Sequence, residues 1–148
     1  MRAVLILALL MGFAPVTSAM TCVRPPLEQL FARADFVFEA TVETRHKLDV
    51  PPDPICWTAG DRCGPKIATL RVQRVWKGQP GEQTAIRSGD ACYCLGTYLM
   101  PGERYVIFAI RASGGGSEMT DMGACATEGL GTARQRGVIE ALTALAAR

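Results

Sequence analysis

The chain has 148 residues, of which 49% are hydrophobic and 20% charged. That is one domain's worth of sequence, able to bury roughly two-thirds of its unfolded surface, and too little for two ordinary domains. The formal charge is +2, from 16 basic and 14 acidic side chains, which excludes the basic excess of a nucleic-acid binder and the composition of a disordered chain.

Residues 1–19 (MRAVLILALLMGFAPVTSA) carry a positive charge at Arg2, then an apolar run, then the small residues Thr17, Ser18 and Ala19. This is the pattern of a secretory signal peptide, and the run is shorter than the ~20 residues a spanning helix needs. Cleavage after Ala19 is expected to leave residues 20–148 as one exported domain, secreted or periplasmic, with no membrane segment. All six cysteines, Cys22, Cys56, Cys63, Cys92, Cys94 and Cys125, fall in that part. An even count in an oxidising compartment favours three disulfides, whose pairing the sequence alone does not choose. Four thiolates spaced C-x6-C and C-x-C do not match the usual zinc patterns, so no metal site is expected.

Pro25 and Pro26 precede a predicted short helix over 27–34, where Leu27, Leu30, Phe31 and Ala34 share a face. Residues 35–44 alternate as a half-buried strand: Phe36, Phe38, Ala40 and Val42 point one way, and Glu39, Thr41 and Glu43 the other, with Val37 the exception. Residues 45–66 are a long irregular stretch rich in proline and glycine that holds Cys56 and Cys63. A second strand is expected over 67–77, with Ala68, Leu70, Val72 and Trp76 on one face; Arg74 interrupts that face and predicts a bulge or a barrel edge. A weaker third strand follows over 83–88, and residues 89–97 carry Cys92 and Cys94. Pro101-Gly102 marks a turn before a fourth strand over 104–111, apolar on both faces and therefore central. A glycine-rich loop and a short fifth strand over 118–122 come next. The end reads as one helix with a capping box at Thr132 and Gln135 and a stripe of Val138, Leu142 and Leu145; Gly137 weakens it by about 1 kcal/mol. The expected fold is mainly β: a five-stranded OB-like barrel with a short N-terminal helix and a C-terminal helix, closed because closure removes exposed strand edges.

Several segments, taken in order, carry a resemblance: Cys22-Val23-Arg24-Pro25-Pro26, the run ARADFVF over 32–38, Val75-Trp76-Lys77-Gly78, Pro101-Gly102-Glu103-Arg104-Tyr105, and Cys125. Together they resemble the netrin-like domain, in the branch that includes bacterial homologues of the tissue inhibitors of metalloproteinases. The resemblance implies an OB-like barrel and a protein-binding role. In that family the α-amino group and carbonyl oxygen of an N-terminal cysteine chelate the catalytic zinc of a protease and displace the attacking water. Here the corresponding wedge is Met20, Thr21 and Cys22. Cys22 matches the family's second cysteine and Met20 stands in place of the first, which keeps the backbone chelating atoms and removes one covalent anchor. The resemblance also implies a Cys22–Cys125 disulfide. The pairing of Cys56, Cys63, Cys92 and Cys94 stays open: Cys56–Cys92 with Cys63–Cys94, or the crossed version, would pin the loop to the barrel, and a local Cys56–Cys63 bridge would leave Cys92–Cys94 as a strained short ring.

Other candidates read as ordinary structure. Cys92-Tyr93-Cys94, with Met20, Met119 and Met122 as soft ligands, is the pattern of a thiol or copper-handling protein; the plainer reading is two half-cystines and core methionines. His46 sits between Arg45 and Lys47 at a strand end and reads as solvated. Trp76 reads as a strand-end aromatic closing the core rather than a stacking platform. No serine lies in a nucleophile elbow, and Gly114-Gly115-Gly116 lacks the lysine of a phosphate loop. The expectation is therefore an exported protein with no catalytic residues and no cofactor. Its partner is a protein, a zinc metalloprotease in the sharpest version, and neither nucleic acid nor membrane. The alternatives are a non-inhibitory envelope interaction domain or a C-x-C thiol or copper-handling protein.

Overall fold

The structure is a computed structural model that describes residues 23–48, 65–88, 97–112 and 118–148. In chain order the elements are α1 (Leu27–Arg33), β1 (Phe36–Lys47), β2 (Lys66–Lys77), β3 (Gln83–Ser88), β4 (Arg104–Arg111), β5 (Met119–Asp121), β6 (Glu128–Gly129), α2 (Leu130–Gln135) and α3 (Val138–Ala146). The strands run β1-β2-β3-β5-β4, and β4 pairs back onto β1. That closes a five-stranded barrel in which β3 and β5 are parallel and the other pairs antiparallel. The two residues of β6 add to β4 opposite Tyr105 and Val106. This is the OB-like barrel expected from the sequence, and the predicted bounds of β3 and β4 match.

The bulge anticipated at Arg74 is present. Glu39 pairs with Arg74 and Ala40 with Val72, so Gln73 is an extra residue in β2. Further register shifts fall between Val37 and Phe38 and between Val42 and Thr44. Each bulge bends a strand and increases its twist, and this lets the 12-residue β1 curl between β2 and β4.

Two apolar cores lie on opposite faces of the same strands. Inside the barrel, Phe38, Leu70, Ile86, Leu99, Ile107 and Met119 pack together. Outside it, Val37, Val106, Phe108 and Trp76 pack against Leu30 of α1, Leu130 and Ala133 of α2, and Val138 and Leu142 of α3. The second layer explains two features of the sequence. Val37 breaks the alternation of β1 because helices cover that patch of the outer wall. β4 is apolar on both faces because Ile107 and Ala109 face the barrel core while Val106 and Phe108 face the helices.

The C-terminal helix differs from expectation. It is two helices, broken at Gly137, which takes a left-handed conformation with φ +66°. The capping box at Thr132 and Gln135 does not form: α2 begins at Leu130, two residues earlier, with Gly129 as N-cap and no side-chain cap. The break lets Leu130 and Ala133 on one side, and Val138 and Leu142 on the other, enter one cluster.

Candidate functional site

Met20, Thr21 and Cys22 of the expected wedge, and Cys56, Cys63, Cys92 and Cys94, lie outside the described residues. The expected signal segment, 1–19, lies outside them too. The described residues begin at Val23, next in sequence to the expected wedge. Val23 is 85% exposed. Arg24 turns inward: its Nη2 donates to the carbonyl of Ala126 at 2.7 Å and lies 2.8 Å from Glu128 Oε1. Glu128 is buried, and its other oxygen accepts from Arg136 Nη1 at 3.2 Å. One buried carboxylate thus joins the chain start to the end of α2, and a charge there is tolerated because two guanidinium groups meet it. Pro25 and Pro26 then direct the chain into α1, where the Pro26 carbonyl accepts from the N–H groups of Gln29 and Leu30. Pro26 is therefore the N-cap of α1 rather than its first residue.

The surface under Arg24 is a tight turn carrying Cys125, which is disulfide-bonded; its partner falls outside the described residues. The turn closes through N–H groups of Ala126 and Thr127, both donating to the Gly123 carbonyl at 3.0 Å. Thr127 ties it to the barrel: its hydroxyl accepts from the Phe108 N–H at 3.2 Å and donates to Asp121 Oδ1 at 2.5 Å. Asp121 is buried at the end of β5. Burial pushes its pKa above the ordinary aspartate value, against the lowering effect of the hydrogen bond from Thr127.

Beside this platform the loop 97–100 alternates in and out. Leu99 fills the barrel core, while Tyr98 and Met100 are 39% and 42% exposed. Arg45 fixes the tyrosine: its guanidinium stacks on the ring at 4.0 Å from the centroid and donates to the hydroxyl at 2.8 Å. The Tyr105 hydroxyl braces the same loop, accepting from the Met100 N–H and donating to the Tyr98 carbonyl. Sequence reasoning passed over Tyr98 and Met100. The period-2 pattern Thr97, Tyr98, Leu99, Met100 was the available signal.

The other candidates that the structure describes have these places. Trp76 does not share the face of Ala68, Leu70 and Val72 as expected: the bulges in β2 shift the alternation, so it is buried in the outer core, where its Nε1 donates to Thr143 Oγ1. Met119 is buried in the barrel, and Met122 is half-buried against the helices. His46 is exposed in β1 opposite Ile67, within the strand rather than in a loop.

Compared with known proteins, the chain matches no family model and no curated sequence. Among the described residues no three His, Cys, Asp or Glu side chains gather as metal ligands, and no helix is long and apolar enough to cross a membrane. The motif residues behind the resemblance have visible structural work. Lys77 Nζ donates to the Phe31 and Ala32 carbonyls at the end of α1. Asp35 accepts from the Arg111 N–H, and Gly102 donates to the Val42 carbonyl. What the described residues offer here is a hydrogen-bonded seat for Arg24, built from the Ala126 carbonyl and the Glu128 carboxylate that Arg136 also holds.

Proposed function

We propose that the protein is an exported, non-enzymatic protein-binding module of netrin-like type, whose contact element is the chain start at Met20, Thr21 and Cys22. In the sharpest form of this reading the Met20 amino group and carbonyl oxygen bind the catalytic zinc of a metalloprotease. The observation that carries it is the Arg24 clamp. Two residues after Cys22, the chain is pinned to the carbonyl of Ala126, the residue that follows the disulfide-bonded Cys125. That placement supports a Cys22–Cys125 bridge and a chain start held stiffly enough to act as a wedge, because ordering it beforehand lowers the entropic cost of binding.

The test compares the domain starting at Met20 with the same domain carrying one extra alanine before Met20. Both are assayed against a panel of zinc endopeptidases. The Met20 form is expected to inhibit at least one of them and the extended form to lose about tenfold or more in affinity, since a displaced amino group forfeits a strong directional interaction. Arg24→Gln is expected to weaken inhibition while leaving the amide spectrum of the barrel unchanged. Equal inhibition by both forms, or none by either, overturns the wedge.

A non-inhibitory interaction domain is the second reading. Tyr98 and Met100, exposed yet braced by Arg45 and Tyr105, favour it, since aromatic and methionine anchors are enriched at interfaces. It predicts a partner that binds the extended form unchanged and is lost on Tyr98→Ser. The copper reading would recruit Met119 and Met122, and burial of Met119 in the barrel core argues against it.

A further inference from the structure

Away from the chain start, the outer wall of the barrel carries a second, charged feature. Beyond the helix-covered patch, Glu39, Gln73, Arg74, Arg104, Arg134 and Ile139 line an open cavity of about 230 Å³. The Gln73 bulge sits at this point of β2, so Gln73 and Arg74 both reach the cavity. Arg104 approaches from β4 and Arg134 from α2. Three arginines and one glutamate thus line the cavity, and the glutamate, Glu39, already accepts from Arg104 Nη2. Arg74 stacks over the Trp76 ring at 5.7 Å. Neither Arg74 nor Arg134 has a carboxylate or a side-chain hydrogen bond among the described residues.

A concave site with a surplus of two positive charges is a focus for anions. We propose that it binds a tetrahedral oxyanion, a phosphate or sulfate group. The number and placement of the donors favour this over a carboxylate. One guanidinium fork saturates both oxygens of a carboxylate, whereas three guanidinium groups on separate elements suit an anion with three or more oxygens. The cavity lies below the size range of sites that enclose a whole drug-sized ligand, so it takes a group, not a large molecule. Arg104 also lines a second, larger open cavity of about 530 Å³, together with Met100, Glu103, Tyr105 and Leu130, among others. An ester seated on the arginines has room there for its organic part. A single pocket is not the continuous basic track that nucleic acid needs.

The test is a titration of the full exported domain followed by backbone and arginine Nε–Hε NMR correlations, with inorganic phosphate, phenyl phosphate and acetate as probes. Saturable shifts at Arg74, Arg104 and Arg134 are expected with both phosphates. Acetate should bind more weakly, and added salt should lower affinity. Tighter binding of phenyl phosphate, with shifts at Tyr105 and Leu130, assigns the site to an ester; tighter binding of inorganic phosphate assigns it to the free ion. Both support the site. Arg74→Gln with Arg134→Gln is expected to cost about tenfold per arginine removed, the effect of one lost charge-assisted hydrogen bond. Lysine at both positions should keep part of the affinity through charge alone. Shifts that never saturate, or equal affinity in the glutamine double variant with its barrel spectrum intact, overturn the proposal.

Discussion

Asp121 is a carboxylate buried at the end of a three-residue strand, hydrogen-bonded to Thr127 and with no cation in its described ion pairs. Because burial raises its pKa above 3.8, the folded state holds the Asp121 proton more tightly than the unfolded chain. The resulting contribution to stability is fully present below the ordinary aspartate value and is lost as pH rises through the raised one. Asp121→Asn keeps an acceptor for Thr127 and removes the charge. It is expected to raise stability at pH 7, with the gain shrinking toward acid. Urea unfolding of both proteins across that range measures it, and a loss of stability at pH 7 would refute the sign. Two glycines make a matched pair at the same scale. Gly78 and Gly137 both have positive φ. A Cβ on Gly78 would lie 2.6 Å from the Asp35 carbonyl oxygen, while one on Gly137 meets nothing within 4 Å. Gly137→Ala should cost about 1 kcal/mol from backbone conformation alone. Gly78→Ala should cost about 2 kcal/mol or more, because backbone must move as well. Equal losses in thermal unfolding would show that the clash at Gly78 relaxes freely.

At the scale of elements, the strands were legible because their signal is local. The alternation of Phe36, Phe38, Ala40 and Val42 marks β1, and the interruption at Arg74 marks the bulge in β2. The exceptions were legible as exceptions and not as causes: Val37 breaks its pattern because of helices that arrive from both ends of the chain. The helix break was missed for a related reason. Gly137 reads as a modest propensity cost in a single helix, and only the packing of Leu130, Ala133, Val138 and Leu142 into one cluster makes a turn there favourable. The supports of the candidate site were hardly legible at all. Arg24 and Glu128 are 104 positions apart in a chain with 30 formally charged side chains, and nothing local pairs them. The three arginines around Glu39 are likewise spread over β2, β4 and α2 and converge only on folding.

For the whole molecule, the barrel core and the helix-side core share their strands residue by residue. Phe38 and Ile107 lie inside, and their neighbours Val37, Val106 and Phe108 lie outside. Loosening either core therefore disturbs the wall of the other. Ile86→Ala in the barrel and Leu142→Ala in α3 are each expected to cost about 2–5 kcal/mol. Both should lower a single cooperative transition, read identically by far-ultraviolet circular dichroism and by the fluorescence of Trp76 in a Trp57→Phe background. Two separated transitions in Leu142→Ala would mean that the helices unfold independently of the barrel. The Arg24 contact also has a consequence in time. Its acceptor carbonyl lies 102 residues further along the chain. At roughly 5–20 residues per second of synthesis, Arg24 emerges about 5–20 seconds before Ala126 exists. The Arg24 contact is thus among the last in the fold that can form.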